Sequence, residues 1–184
     1  MAPFTYSMRS RVVALPALAL ALASCGGSDD KPADSSGLID WPDDRSTGAA
    51  IGDTAPNFKL STSDGSEVVL ANSVANGPVV VNFLATWCAN CMEEMDILVT
   101  LASEGHSVIG VNLRESAETV AKLATDTGAT FPILLDESGK VTREYKVLNL
   151  PATAIINTDG TITSFTRGPI ELDAMREALG ATGG

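Results

Sequence analysis

Two cysteines separated by two residues, Cys88 and Cys91, have the residue type and the spacing to do chemistry. They lie in the stretch FLATWCANCMEEM, and the only other cysteine of the chain is Cys25. A pair at this spacing can bind a metal ion, form a structural disulfide, or exchange electrons as a dithiol and a disulfide. The rest of the sequence has to distinguish these three uses.

A zinc site is the first alternative, and the sequence offers too few ligands for it. Zinc is held by about four protein ligands, or by about three in a catalytic site. Beyond the cysteine pair there is His106, with no second Cys-x-x-Cys and no His-x-x-x-His in the chain. We interpret His106, which follows Gly105, as a solvated residue in a helix-to-strand turn. We therefore expect no metal, and thiol chemistry of this kind needs no cofactor.

A purely structural disulfide is the second alternative. A disulfide stabilises a fold mainly by restricting the unfolded chain, and so short a loop restricts it little. A Cys-x-x-Cys pair close to a βαβ pattern is instead typical of redox chemistry. The pattern therefore favours a redox pair.

The elements predicted around the pair place it where a buried strand ends and a helix begins. Residues 78–84, PVVVNFL, form an almost unbroken β-branched and aromatic run, which is typical of a strand buried on both faces. Free N–H groups at the start of a helix stabilise a thiolate, the form that attacks disulfides. We therefore expect Cys88 to be the nucleophile and Cys91, almost one turn later, to resolve the mixed disulfide. The helix is predicted to run to Gly105 because apolar residues recur at helical spacing at Met92, Met95, Leu98, Val99 and Ala102.

The remaining pattern predicts an α/β domain with a mixed sheet. Segments 55–60 and 67–70 flank Asp64-Gly65, which predicts a β-hairpin, and 151–165 predicts a second hairpin across Asp159-Gly160. Strands that alternate with helices imply a parallel core, to which the last hairpin adds an antiparallel edge. The other predicted elements are strands at 107–113 and 131–136 and helices at 116–128 (capped by Ser116), 138–147 and 169–180.

The first 25 residues have the pattern of an export signal. A basic start without acidic residues precedes an apolar run at 12–23, which is shorter than the roughly 20 residues that span a bilayer. The run ends in Leu-Ala-Ser-Cys, which resembles the lipobox of bacterial lipoproteins, where the mature chain begins at a lipid-bearing cysteine. An ordinary signal peptide that ends near a cysteine is the alternative. We predict a signal peptide at 1–24, a lipid anchor on Cys25, a disordered polar tether at 25–49 and one folded domain at 50–184.

The charge of the chain argues against a nucleic-acid partner. It carries 23 acidic and 12 basic residues, a net charge of −11. Contacts to phosphate groups need lysine and arginine side chains. We therefore expect no nucleic acid among the partners of this protein.

Several motifs along the domain resemble, in the right order, those of the thioredoxin superfamily and of its extracytoplasmic TlpA/ResA-like branch. The resemblance covers nearly all of 50–184. It implies a thioredoxin-like fold: a central mixed sheet flanked by helices, with an N-terminal β-hairpin and a TlpA-type βα insertion. The matching stretches are APNFKL (55–60), FLATWCANC (83–91), FPILLDESGKVTREYKV (131–147) and LPATAIINTDGTI (150–162).

The resemblance also implies roles for residues outside the cysteine pair. Pro151 matches the family's cis-proline beside the disulfide, and the backbone of Leu150 would pair with an extended substrate peptide. Trp87 would shield the dithiol, although on residue type alone it could belong to the core. Glu94 matches a family glutamate and is the candidate proton acceptor for Cys91, on whose helical face it is expected. Its alternative interpretation is a solvated residue of the helix.

Three positions depart from the family pattern. Asn90 replaces a common proline, Asn82 stands where cytoplasmic thioredoxins have a buried aspartate, and Leu84 replaces a frequent tryptophan. Ala89 and Asn90 lie between the cysteines, where the redox potential is tuned, so the potential of the family cannot be transferred to this chain.

The favoured function is a membrane-tethered thiol–disulfide oxidoreductase of exported proteins. It would reduce cysteine-containing exported proteins, such as apocytochrome c at its haem-attachment cysteines, and a membrane thiol donor would reduce it in turn. The same steps run backwards in an oxidase, and the direction depends on the redox potential.

Two other functions stay open. A peroxiredoxin-like peroxidase would use an upstream proline and a Thr or Ser to bind peroxide; Thr86 lies two residues before Cys88, but residue 81 is valine. A lipoprotein that binds a partner without catalysis would have no use for the dithiol.

Overall fold

Thirteen helices and strands follow one another in residues 49–182, the part of the chain that this computed structural model describes. The predicted signal peptide, the lipid-anchor residue Cys25 and all of the tether except Ala49 lie outside it, so the predicted domain limits stay predictions. The elements are β1 (Lys59–Ser61), β2 (Glu67–Val69), α1 (Leu70–Val74), β3 (Val79–Leu84), α2 (Ala89–Glu93), α3 (Met95–Ser103), β4 (Ser107–Leu113), α4 (Ala117–Thr127), β5 (Ile133–Asp136), α5 (Lys140–Glu144), β6 (Ala152–Ile156), β7 (Ile162–Arg167) and α6 (Leu172–Thr182).

Five of the strands form one mixed sheet in the order β5-β4-β3-β6-β7. The strands β3, β4 and β5 pair in parallel, because α-helices connect them, while β6 pairs antiparallel with both β3 and β7. All six residues of β3 are buried, as the apolar run predicts. The predicted thioredoxin-like arrangement of a parallel core with an antiparallel edge is confirmed.

The predicted N-terminal hairpin is also confirmed, as a separate two-stranded sheet of β1 and β2. Its turn is built by Asp64, which accepts hydrogen bonds from the Thr62 hydroxyl and from the N–H of Ser66. Gly65 supplies the positive φ of 85° that the turn requires. An isolated bridge from Thr62 to Leu134 connects this hairpin to the main sheet.

The two faces of β3 contribute to two separate apolar clusters. Val79, Val81 and Phe83 pack into one cluster, whereas Val80 and Leu84 pack into the cluster that contains Cys88 and Cys91. Side chains alternate between the faces of a strand. Asn82 therefore points to the same side as the cysteines, into an otherwise apolar layer.

Two helical segments differ from the prediction. The helix predicted to run from the cysteines to Gly105 is broken into α2 and α3 at Glu94, whose backbone angles are φ −89° and ψ −4°. The short helix α1 follows β2 directly, where the sequence analysis extended the strand to residue 70. The helix α4 agrees with the prediction: Ser116 caps it by accepting a hydrogen bond from the N–H of Thr119, and Gly128 ends it in a left-handed conformation.

Candidate functional site

Cys88 and Cys91 lie at the start of α2, just beyond the carboxyl end of β3, and a disulfide joins them. Cys88 is the N-cap residue of α2 and has an extended conformation, with φ −92° and ψ 104°. Its Sγ accepts a hydrogen bond of 3.2 Å from the N–H of Cys91. The same N–H can donate to a Cys88 thiolate in the reduced protein, which favours the charged form of that sulfur.

The two sulfurs differ in their access to solvent. Cys88 retains 8% of its surface, whereas Cys91 is fully buried at 0%. A substrate disulfide can therefore reach Cys88 but not Cys91. This difference in exposure agrees with the expected roles of Cys88 as the nucleophile and Cys91 as the resolving thiol.

Glu94 lies at the break between α2 and α3 and is buried, with 2% of its surface exposed. Its Oε1 accepts a hydrogen bond of 2.6 Å from Asn82 Nδ2, and its Oε2 accepts one of 3.2 Å from the N–H of Ile170. The alternative interpretation of Glu94 as a solvated helix residue is therefore wrong. Burial raises the pKa of Glu94 above its ordinary value, although the hydrogen bonds from Asn82 and Ile170 oppose that shift.

Asn82 is a site residue that the sequence analysis did not assign a role. Its amide donates to both Glu94 and Thr153 Oγ1, the latter at 2.9 Å, and its Oδ1 accepts no hydrogen bond within the described part of the chain. An aspartate at this position would place a second carboxylate against Glu94, whereas the amide supplies donors. The sequence signal for this role was that asparagine replaces the aspartate of cytoplasmic thioredoxins. In the structure the replacement provides hydrogen-bond donors for Glu94 and Thr153.

The loop before Cys88 is held by Glu115, which the sequence analysis also did not single out. Its carboxylate accepts hydrogen bonds from the N–H of Thr86 (2.7 Å), from the Thr86 hydroxyl, and from Asn112 Nδ2 (2.7 Å). Glu115 follows β4, which is parallel to β3, so the two strands end at the same edge of the sheet. That topology brings together residues that are 29 positions apart in the sequence.

Leu150 and Pro151 precede β6 at this same edge. The peptide bond between them is cis, as the family resemblance implies. The carbonyl of Pro151 accepts a hydrogen bond of 2.9 Å from the N–H of Gly168. No hydrogen bond from residues 49–182 reaches the N–H or the carbonyl of Leu150, so both are available to an extended peptide.

Trp87 is 67% exposed, so its alternative interpretation as a core residue is wrong. It lines a pocket of about 250 Å³. The other lining residues are Leu113, Thr142, Val147, Leu148, Asn149 and Leu150.

The remaining residues singled out in the sequence are Ala89, Asn90 and His106. Ala89 and Asn90 are exposed in the first turn of α2, and their effect on the redox potential stays a prediction. His106 is half-buried in the turn between α3 and β4. Within residues 49–182 there is no group of three or more His, Cys, Asp or Glu residues arranged to hold a metal ion. The same part of the chain contains no helix with the length and apolar character to cross a membrane.

Comparison with known proteins points to the same chemistry. Residues 51–165 match the AhpC/TSA family. Over 137 residues the chain is 34% identical to the thiol-disulfide oxidoreductase ResA of Geobacillus thermodenitrificans, covering 72% of this chain and 78% of the relative.

Solved structures share the fold. A Chlorobium tepidum protein described as a DsbE-type thiol:disulfide interchange protein aligns with a TM-score of 0.66 at 25% identity, covering 74% of this chain and all of the other. The exposed lipoprotein thioredoxin Etrx1 of Streptococcus pneumoniae aligns with a TM-score of 0.60 at 24% identity, covering 68% and 99% of the two chains.

The hydrogen bonds to Glu115 predict that this residue positions the loop before the nucleophile. Glu115→Ala leaves the Thr86 N–H and the Asn112 amide without their acceptor, so we expect a loss of about 1–3 kcal/mol in the free energy of unfolding, measured by urea denaturation. We also expect a changed rate of Cys88 alkylation in the reduced protein, because the loop loses its anchor.

Two further variants separate a positioning role from a general loss of charge. Glu115→Gln keeps one acceptor oxygen, so its free energy of unfolding and its Cys88 alkylation rate should lie between those of Glu115→Ala and wild type. Glu118→Ala removes a nearby exposed carboxylate and should leave both quantities close to wild type. Wild-type stability and alkylation rate in Glu115→Ala would contradict the positioning role.

Proposed function

Because the chain belongs to the AhpC/TSA family and is a thioredoxin-like thiol–disulfide oxidoreductase, we propose that it reduces disulfides of exported proteins through Cys88 and Cys91. The observation that carries this proposal is the disulfide at the start of α2, in which Cys88 alone retains exposed surface. The free backbone of Leu150 supports it by offering a substrate segment a strand-like partner.

The reaction runs in two thiol–disulfide exchanges. The Cys88 thiolate attacks one sulfur of the substrate disulfide; that disulfide bond breaks, a bond from Cys88 to the substrate forms, and the released thiolate takes up a proton from solvent. Cys91 then attacks Cys88 Sγ, which forms the Cys88–Cys91 disulfide and releases the second substrate thiolate. The substrate gains two electrons and two protons, and the protein dithiol loses them.

Glu94 is the proposed acceptor of the Cys91 proton in the second exchange. A carboxylate can take that proton only when it is ionised, and Asn82 and the Ile170 N–H stabilise the ionised form. Burial raises the pKa of the same group. The shift brings the pKa of Glu94 closer to the pKa of a thiol, which makes the Glu94 carboxylate a better base.

The cellular setting is also a proposal. The lipobox-like sequence before Cys25 supports a lipid anchor on that residue, and the similar Streptococcus pneumoniae structure is described as an exposed lipoprotein. We place the domain outside the cytoplasm, tethered to the cell membrane. There a membrane thiol donor would reduce it, and exported proteins, including apocytochrome c at its haem-attachment cysteines, would be its substrates.

The contacts of Thr86 argue against a peroxidase. Thr86 is the hydroxyl residue just upstream of Cys88 that a peroxide site could use. Its hydroxyl and its N–H both donate to the carboxylate of Glu115. That hydroxyl is therefore engaged, and residue 81 is valine rather than proline.

The direct test is to trap the mixed disulfide. In Cys91→Ser the first exchange can occur and the second cannot, so exported cysteine-containing proteins should accumulate on Cys88 in the membrane fraction. The double variant Cys88→Ser/Cys91→Ser is the control and should carry none. If no such proteins accumulate on Cys88, the oxidoreductase proposal fails and a partner-binding lipoprotein becomes the better description.

Replacement of Glu94 tests its role as proton acceptor. In Glu94→Gln we expect the second exchange to slow by about 100-fold at neutral pH, because no base takes the Cys91 proton. The wild-type rate should fall as the pH drops through the raised pKa of Glu94, and the variant should lack this dependence. Stopped-flow measurement of mixed-disulfide resolution checks both, and superimposable rate–pH profiles would refute the role.

The stability of the oxidised protein gives a second readout of the same carboxyl group. A folded-state pKa raised above the ordinary value of 4.5 contributes stability that is complete below that value and is lost as the pH rises through the folded pKa. Wild type should therefore lose stability relative to Glu94→Gln as the pH rises from the ordinary pKa of 4.5 through the raised pKa of the folded protein. Parallel curves would mean that the pKa of Glu94 is not raised.

The direction of electron flow depends on the redox potential of the dithiol. For a reductase we expect a value nearer to the roughly −270 mV of thioredoxin than to the roughly −120 mV of a strongly oxidising dithiol. Equilibration with glutathione buffers of known potential, followed by thiol alkylation, measures it. A value close to −120 mV would overturn the reductase direction in favour of the oxidase.

A further inference from the structure

Arg167 is a cation beside the candidate substrate site that has no acidic partner among residues 49–182. It is the last residue of β7 and is exposed, with its guanidinium 4.5 Å from the centre of the Phe165 ring. Among the residues that the structure describes, it makes no ion pair. Arg176, by contrast, pairs with both Glu104 and Asp173. An unpaired arginine is notable in a chain whose net charge is −11.

Arg167 lies close to the free backbone of Leu150. The register of the sheet pairs Arg167 with Ala152, two residues beyond Leu150. Arg167 also lines a pocket of about 220 Å³ together with Leu150, Pro151 and Gly168. The pocket of Trp87 adjoins it, because residues 147–150 line both pockets.

No acidic residue lines either pocket, within the part of the chain that the structure describes. Most of the residues that line the Trp87 pocket are apolar, among them Leu113, Val147 and the 91% exposed Leu148. The Arg167 pocket adds one positive charge to a similar surface. The two pockets therefore offer different environments to the side chains of a bound peptide.

We propose that the site selects disulfide-bearing polypeptide segments in which the reactive cysteine is flanked by an acidic residue, bound by Arg167, and by a large apolar residue, bound in the Trp87 pocket. This specificity rests on the proposed function, because it concerns the substrate of the same dithiol. An extended peptide paired with the backbone of Leu150 projects its side chains in alternating directions. The residues on the two sides of its cysteine are therefore within reach of the two adjoining pockets.

Among the side chains of an unmodified peptide, a carboxylate fits the chemistry of Arg167 best. A guanidinium presents its N–H donors in a planar fork that matches the two oxygens of a carboxylate. The Phe165 ring contacts the guanidinium, which reduces the side-chain freedom that is lost on binding. The acidic surface elsewhere acts mainly within a Debye length of about 8 Å at physiological salt. Arg167 therefore decides the local preference.

The test uses peptides that carry one cysteine in a mixed disulfide with neutral 2-mercaptoethanol. On one side of the cysteine the flanking residue is Glu, Gln or Lys, and on the other side it is Leu or Gly. Each pair is made in both orientations, with the charged position before or after the cysteine. The second-order rate of reduction by the full-length reduced protein is measured at low and high salt. The rate with neutral 2-hydroxyethyl disulfide reports the dithiol itself and normalises every value.

We expect wild type to reduce the Glu peptide about threefold faster than the Gln peptide, and the Gln peptide about threefold faster than the Lys peptide. High salt should shrink these ratios, and Leu should be preferred to Gly. Arg167→Glu should invert the order of the charged peptides, and Arg167→Gln should abolish it. Lys122→Glu, which changes the net charge equally at a site outside both pockets, should keep the wild-type order.

Other outcomes would contradict the role of Arg167, the role of the Trp87 pocket or the reductase function. Equal rates for all peptides in wild type, or an unchanged charge preference in Arg167→Glu, would overturn the role of Arg167. Equal rates for Leu and Gly peptides would overturn the role of the Trp87 pocket. If wild type does not reduce the neutral disulfide, the proposed reductase function fails instead, which separates the two proposals.

Discussion

The buried carboxylate of Glu94 connects the parts of the molecule on which the redox centre depends. Asn82 binds it from the central strand, the Ile170 N–H binds it from the segment before α6, and Thr153 joins through Asn82. A carboxylate in an apolar layer is strongly unfavourable without such donors. The break between α2 and α3 at Glu94 and the polar side chain of Asn82 on β3 therefore belong to one arrangement, joined by a hydrogen bond.

The site is assembled from loops that meet at one edge of the sheet. The parallel strands β3 and β4 end there, and the antiparallel β6 begins there. This geometry brings the cysteines, the Glu115 carboxylate and the Leu150–Pro151 bond together, although they are far apart in the chain. The same edge carries the two pockets beside residues 147–150. The dithiol and the proposed substrate site thus lie at the same edge of the sheet.

Features that depend on neighbours in the chain were predicted well. The hairpin at Asp64-Gly65, the cap at Ser116 and the end of α4 at Gly128 follow from turn and capping rules that act over a few residues. The break at Glu94 was missed because helical spacing continues across it. Glu115 was missed because its partner Thr86 is 29 residues away, and only the parallel pairing of β3 with β4 brings the two together.

The sequence by itself determined the dithiol, the order of the strands, and the cysteine expected to react first. These depend on spacing and local propensity, which can be read along the chain. The tertiary structure alone decided that Glu94 is buried, that Trp87 is exposed and that Arg167 has no acidic partner in the described part of the chain. Burial and pairing depend on contacts between distant segments, such as Glu94 and Ile170, 76 residues apart. The cysteine pair therefore identifies the chemistry, and its folded surroundings determine how that chemistry is tuned.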